Sequence, residues 1–181
     1  ELVRTITVVD TTGPVITLTG DPEITVEAGA TYSDAGATAT DAVDGDVTAN
    51  ILATGTVDTT KLGKYILSYN VSDAAENTAT AVIRTVTVAD TTAPVITIKG
   101  STTVNVETGG TYVDEGATAA DSFEGDLTAD ITLGNPVDTT ISGSYTVSYS
   151  VKDSSGNEAS ATRTVVVSDN YVPVIILLGD A

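Results

Sequence analysis

The chain has 181 residues, 41% of them hydrophobic, with 25 acidic against 7 basic side chains and a net charge of −18. That is enough apolar material for one large domain or two ordinary ones, while the acidic surplus repels phosphate backbones and anionic lipid surfaces and argues against a nucleic-acid partner. Cysteine and histidine are both absent, which removes disulfides, thiolate metal sites, the usual zinc ligand and the usual general base, and leaves only oxygen ligands for any metal.

Thr and Val are abundant, Phe occurs once, and Trp and Met never occur, a composition that favours strands of branched side chains over Leu-rich helices. No apolar run approaches the roughly 20 residues of a membrane span, and no signal-peptide pattern opens the chain. It reads as an internal piece of a longer protein. The acidic surface suits cations as partners, and it also suits solubility in a secreted protein or adaptation to high salt.

In chain order, VRTITVVD (3–10) reads as a strand ending in Asp10. TTGPVITLTG (11–20) follows, then ITVEAGATYSDAGATATD (24–41), the acidic turn DAVDGD (41–46), VDTT (57–60) and GKYILSYNVSD (63–73). In the last of these, Tyr65, Leu67, Tyr69 and Val71 share one parity and Ser68, Asn70 and Ser72 the other, the alternation of a half-buried strand. After the turn DAAEN (73–77) comes the alternating run IRTVTVAD (83–90), which predicts a hairpin.

The same order then starts again about 80 residues on: TTAPVITIKG (91–100), VNVETGGTYVDEGATAAD (104–121), DSFEGD (121–126), VDTT (137–140), GSYTVSYSVKD (143–153), DSSGN (153–157) and TRTVVVSD (162–169). Beyond Ala161 the second copy is one residue shorter, so Asp169 corresponds to Asp90. Residues 3–10 match the close of each copy, and VPVIILLGD (172–180) matches its start. The expected organisation is therefore a last strand of a preceding repeat (1–10), domain 1 (11–90), domain 2 (91–169) and a first strand of a following repeat (170–181).

Short β-rich runs broken by Gly, Asp and Thr turns predict an all-β fold, an antiparallel sandwich of about seven strands per unit. A parallel β-helix has much shorter repeats. Pro14, Pro94 and Pro173 each open a unit, where a missing N–H does no harm on an edge strand. The joint DTT is too short for a flexible linker, so an elongated rod is expected. Glu76 stands where Gly156 does, so the two hairpin turns should differ if that glycine takes a positive φ.

Three carboxylates on each acidic turn, Asp41, Asp44 and Asp46 in one copy and Asp121, Glu124 and Asp126 in the other, have the spacing from which oxygens can converge on calcium. The same residues also suit a solvated tight turn, in which Asp accepts bonds from nearby backbone N–H groups. Asp10 at the entrance of the first unit and Asp90 at the entrance of the second would add ligands if the turn faces the preceding unit. Asp73 and Asp153 finish strands before the hairpin turn, and with straight strands they lie at the opposite end from Asp90 and Asp169. Glu27 and Glu107 read as rim carboxylates before a Gly turn.

Arg84 and Arg163 share the parity of the valines that follow them and are expected at the edge of a buried face, stem packed and head paired to a carboxylate. The tyrosines at 65, 69, 145 and 149 read as core residues with hydroxyls reaching the rim. Without His or Cys no Ser or Thr has an obvious activating partner. A repeated Lys–Asn crosslink has no signature, since Lys99 and Lys152 are replaced by Thr19 and Ser72 in the first copy.

The string DTTAPVITIKG, then VEAGATYSDAGATATD with its DGD turn, then VDTT and GKYILSYNVSD, resembles the bacterial Ig-like repeat of surface proteins and pesticidal crystal toxins, and is similar to hyalin-type repeats. The resemblance covers nearly the whole chain. It implies two tandem Ig-like antiparallel β-sandwich domains used as a non-enzymatic stalk, spacer or adhesive module on the cell surface, and the carboxylate turns add calcium that stiffens the joints as one option. A strand-final Asp before Thr-Ala-Pro is also similar to cadherin junctions, where calcium sits between domains, although Thr91 and Thr92 replace the Asn-Asp-Asn linker there. Two other roles stay open: a carbohydrate- or receptor-binding module of a secreted enzyme or toxin, and a filament subunit that self-assembles by strand addition at its ends. Expected partners are thus neighbouring repeats of the same chain, a cell-surface or glycan ligand, or copies of itself, with no membrane insertion.

Overall fold

The computed structural model describes residues 2–176. The chain divides into two compact units between Thr91 and Thr92. The first unit holds β1 (Val15–Leu18), β2 (Glu23–Glu27), β3 (Ala37–Asp41), β4 (Gly45–Asp46), β5 (Leu52–Thr54), β6 (Gly63–Asn70) and β7 (Val82–Ala89). The second repeats them as β8 (Val95–Ile98), β9 (Thr103–Glu107), β10 (Ala117–Asp121), β11 (Gly125–Asp126), β12 (Thr132–Gly134), β13 (Gly143–Lys152) and β14 (Glu158–Ser168).

Each unit is a sandwich of a three-stranded and a four-stranded sheet, in the order β1-β3-β4 against β2-β7-β6-β5, and β8-β10-β11 against β9-β14-β13-β12. All pairings are antiparallel except β2 with β7 and β9 with β14, which are parallel. The period-two pattern decides which side chains face the core. In β7, Arg84, Val86 and Val88 point inward while Ile83 is exposed, and in β6, Leu67 and Tyr69 meet them beside Ile16 and Ala39 of the other sheet. Full burial of a valine such as Val86 or Val165 stabilises its unit by about 1.5–3 kcal/mol.

Two local expectations meet different outcomes. The predicted hairpin forms in both units, but β13 and β14 pair without interruption to Lys152–Glu158, whereas β6 and β7 stop at Tyr69–Val82. Beyond that point only Ser72 and Thr78 face each other, one residue out of the β6–β7 register. The extra residue of the first copy sits in this stretch as an insertion and breaks the ladder. The turn itself does not differ as expected. Glu76 takes φ 67° where Gly156 takes 101°, and both loops carry the same backbone bonds, Asp73 N–H to Asn77 O at 3.1 Å and Asp153 N–H to Asn157 O at 3.1 Å. The flanking Asp–Asn bonds hold the non-glycine residue in the left-handed region.

Residues 3–10, matched in sequence to a closing strand, lie outside every strand, because a strand needs a neighbour for its ladder and none of the described sheets receives them. Of the expected strand at 172–180, residues 172–176 are likewise outside strands, and 177–180 lie outside the described residues. Among the described residues no helix is long and apolar enough to cross a membrane.

Candidate functional site

The largest buried side chains are Arg84 and Arg163, each 1% exposed. Their parity on β7 and β14 places them inside the sandwich, so the expectation of a position at its edge is corrected: the whole guanidinium is in the core, where it needs a full set of acceptors. Arg84 Nε donates to Asp21 O at 3.0 Å, one Nη to Thr19 O and to Gly36 O, and the other to the Asp34 carboxylate and to Tyr69 Oη at 3.3 Å. Tyr69 Oη donates to Asp34 Oδ2 at 2.6 Å, Tyr32 Oη to Oδ1 at 2.9 Å, and Gly36 N–H to Oδ2 at 3.0 Å. The second unit repeats the arrangement with Arg163, Asp114, Tyr149, Tyr112 and Gly116.

The pairing of each arginine with a carboxylate was legible, but its partner was not. Asp34 and Asp114 were missed, although TYSDAG and TYVDEG repeat Tyr, Asp and Gly at equal spacing. Burial alone would raise the Asp34 carboxyl, but hydrogen bonds from Tyr69, Tyr32 and Arg84 outweigh it and hold the group below the usual range. Burial and the Asp34 carboxylate push the Tyr69 phenol up to about 12, and burial and the Asp114 carboxylate raise Tyr149. The hydroxyls of Tyr69 and Tyr149 thus reach inward to a carboxylate, while those of Tyr65 and Tyr145 reach loop carbonyls of Lys61 and Ile141, at 2.9 and 2.8 Å. A network this fully satisfied organises the core and leaves no group free for chemistry.

The acidic turns are built differently from a simple cup of three carboxylates. Asp41 Oδ1 accepts the backbone N–H of Val43 and Asp44 at 2.7 and 3.0 Å, and these bonds, Asp44 first, hold its carboxyl below the ordinary range. Asp44 Oδ2 accepts Ala74 N–H at 2.7 Å, stapling the acidic turn to the hairpin turn. Asp46 accepts Thr48 N–H at 2.9 Å and faces the next turn of chain. What the fold brings together is Asp10, Asp41 and Asp73, each with a carboxylate oxygen within 4.8 Å of one on the others. In the second unit Asp121 binds Phe123 and Glu124 N–H, Glu124 staples Ser154, and Asp126 binds Thr128 N–H. Asp90 directly follows β7 at the close of the first unit.

At the opposite end of each unit Glu27 and Glu107 act as latches. Glu27 accepts the backbone N–H and hydroxyl of Thr91, at 3.0 and 2.6 Å, and Glu107 accepts the N–H and side-chain amide of Asn170, at 2.6 and 3.1 Å. Each latch joins the end of β2 or β9 to the segment leaving the unit. Just before it, each parallel ladder gains one more bond to the last residue of the closing strand, Ala28 N–H to Ala89 O at 2.9 Å and Thr108 N–H to Ser168 O at 3.1 Å.

A family model described as bacterial surface protein, Ig-like domain, matches residues 16–88 and again 96–167. No curated protein sequence matches the chain. Among solved structures, the chain is similar to a lipoprotein from Bacteroides thetaiotaomicron, with 28% identity over 44% of this chain and 40% of that one and a TM-score of 0.40. It is similar to the M60 catalytic domain with its CBM51-1 and CBM51-2 domains from Clostridium perfringens ZmpB, with 12% identity over 87% and 31% and a TM-score of 0.50, a likeness of fold. A protocadherin gammaB7 structure matches with 13% identity over 86% and 48% and a TM-score of 0.32. The chain spans less than half the length of each of these solved chains. The two matched segments coincide with the two sandwiches, and the chain belongs to the bacterial surface protein Ig-like domain family.

Proposed function

We propose that the chain is a non-catalytic extracellular spacer that bears tension between a cell surface and whatever it displays. The observation that carries this reading is the parallel pairing of β2 with β7 and of β9 with β14, over five register pairs each. β2 lies near the start of its unit and β7 at its end. Tension on the two ends of a unit therefore drives these strands past each other along their length and loads the ladder bonds together. An antiparallel hairpin pulled at its open ends instead breaks one bond at a time. The Glu27 and Glu107 latches stand where that load leaves the unit.

Single-molecule stretching of the two-unit chain tests this. Two unfolding steps are expected, each releasing about 25 nm of extended chain, with forced-unfolding rates set by the ladder. Ala28→Pro removes the bond to Ala89 and should lower the force of one step while leaving the other unchanged. Equal forces in the variant and the parent would remove the ladder from a load-bearing role. Screening the chain on a glycan array separates the spacer from a carbohydrate-binding module: saturable binding to a defined glycan would replace the spacer reading.

A further inference from the structure

We propose that the first unit binds a calcium ion between Asp10, Asp41 and Asp73, and that this ion ties the segment leading into the unit to the loops at its entrance. The three residues come from separate parts of the chain: the segment before β1, the end of β3 and the turn after β6. One carboxylate oxygen of each lies within 4.8 Å of those of the others. Oxygens that each sit about 2.4 Å from one calcium ion are at most about 4.8 Å apart, so this span is the one a shared ion permits.

Clustered carboxylates alone would not single out a cation. The second observation is the state of Asp41, which is 9% exposed and whose Oδ2 is buried with no hydrogen-bond partner. Asp10 Oδ2 is buried and unpartnered too, while its Oδ1 accepts Thr12 N–H at 3.0 Å. A buried carboxylate oxygen without a donor is costly unless a proton or a cation satisfies it. The two backbone N–H bonds to Asp41 Oδ1 favour the ionised form, so a cation fits better than a proton.

The described residues supply no such cation. Among the described residues Arg84 is committed to Asp34 and Lys61 to Asp58, and no lysine or arginine makes an ion pair with Asp10, Asp41 or Asp73. An all-oxygen donor set around a partly open site suits calcium, which accepts irregular coordination and completes its shell with water, better than magnesium, which gives up water reluctantly. Asp44 becomes a positioning residue, since its bond to Ala74 N–H holds the loop of Asp73 against the loop of Asp41.

Calcium titration of the whole chain at fixed ionic strength, followed by the amide resonances of Thr12, Val43 and Asp44, tests the site. Saturable shifts are expected with an affinity of about 10⁻⁴ to 10⁻³ M, in the range of extracellular calcium modules. Asp10→Asn should weaken that response by roughly tenfold or more while the amides of Phe123 and Glu124 respond as in the parent. Asp10 lies outside the strands, so this variant leaves the sandwich intact. Asp41→Asn keeps an oxygen for Val43 and Asp44 and should have the same effect. Shifts that rise without saturation, that sodium at equal ionic strength reproduces, or that persist in Asp10→Asn would overturn the site. The spacer reading stands or falls separately, on the stretching experiment.

Discussion

Gly13 lies so close to Thr78 that a β-carbon on it would stand 2.6 Å from the Thr78 carbonyl oxygen. The contact is peculiar to the first unit, where the inserted residue breaks the hairpin ladder beside Ala79, and the second unit has Ala93 at the matching position. The extra residue in one strand and the missing side chain on its neighbour therefore belong together. Gly13→Ala should destabilise the first unit by about 1–3 kcal/mol, since backbone must move to admit the methyl group. Ala93→Gly should cost the second unit no more than about 1 kcal/mol, and thermal unfolding of the two variants compares them.

The hairpin turns make opposite predictions at equivalent positions. Glu76 holds φ 67° without being glycine, so Glu76→Gly should stabilise the first unit by about 0.5–1 kcal/mol. Gly156→Ala should destabilise the second by about 1 kcal/mol, through backbone strain alone, because the new methyl would meet Lys152 only at an ordinary 3.7 Å. Denaturant midpoints read both changes.

The buried arginines differ in how completely their partners are shielded. The Asp114 side chain is 6% exposed and that of Asp34 27%. Arg163→Met should therefore cost its unit close to the about 3–5 kcal/mol of a broken buried pair, and Arg84→Met less, because water can reach the stranded Asp34. Adding Asp114→Asn to Arg163→Met should recover part of the loss. Equal destabilisation in the two units would contradict the role of shielding.

Stability should fall at both ends of the pH scale for different reasons. The Asp34 and Asp114 carboxyls are held below their ordinary value of 3.8. Their contribution is complete above that value and is lost as pH drops below it towards the folded-state value, where the folded chain must also take up the proton. The Tyr69 phenol is raised from 10.0 to about 12. Its contribution is complete below pH 10 and is lost as pH rises from 10 to about 12, as the unfolded chain ionises first. Melting temperatures across both ranges check this, and Tyr69→Phe should flatten the alkaline fall of the first unit while costing about 1–3 kcal/mol at neutral pH.

The repeat, the alternating strands around Tyr69 and Tyr149, the hairpins and the pairing of Arg84 and Arg163 with carboxylates follow from the sequence alone, because period-two patterning and self-similarity are local signals that side-chain chemistry imposes. Tertiary structure decided the rest. Arg84 meets Asp34 across 50 residues, β2 lies parallel to β7 rather than in a hairpin, and Asp10, Asp41 and Asp73 converge while Asp46 turns away to Thr48. Each of these depends on contacts between distant segments, and only the closing of the two sheets on one core fixes which distant residues become neighbours.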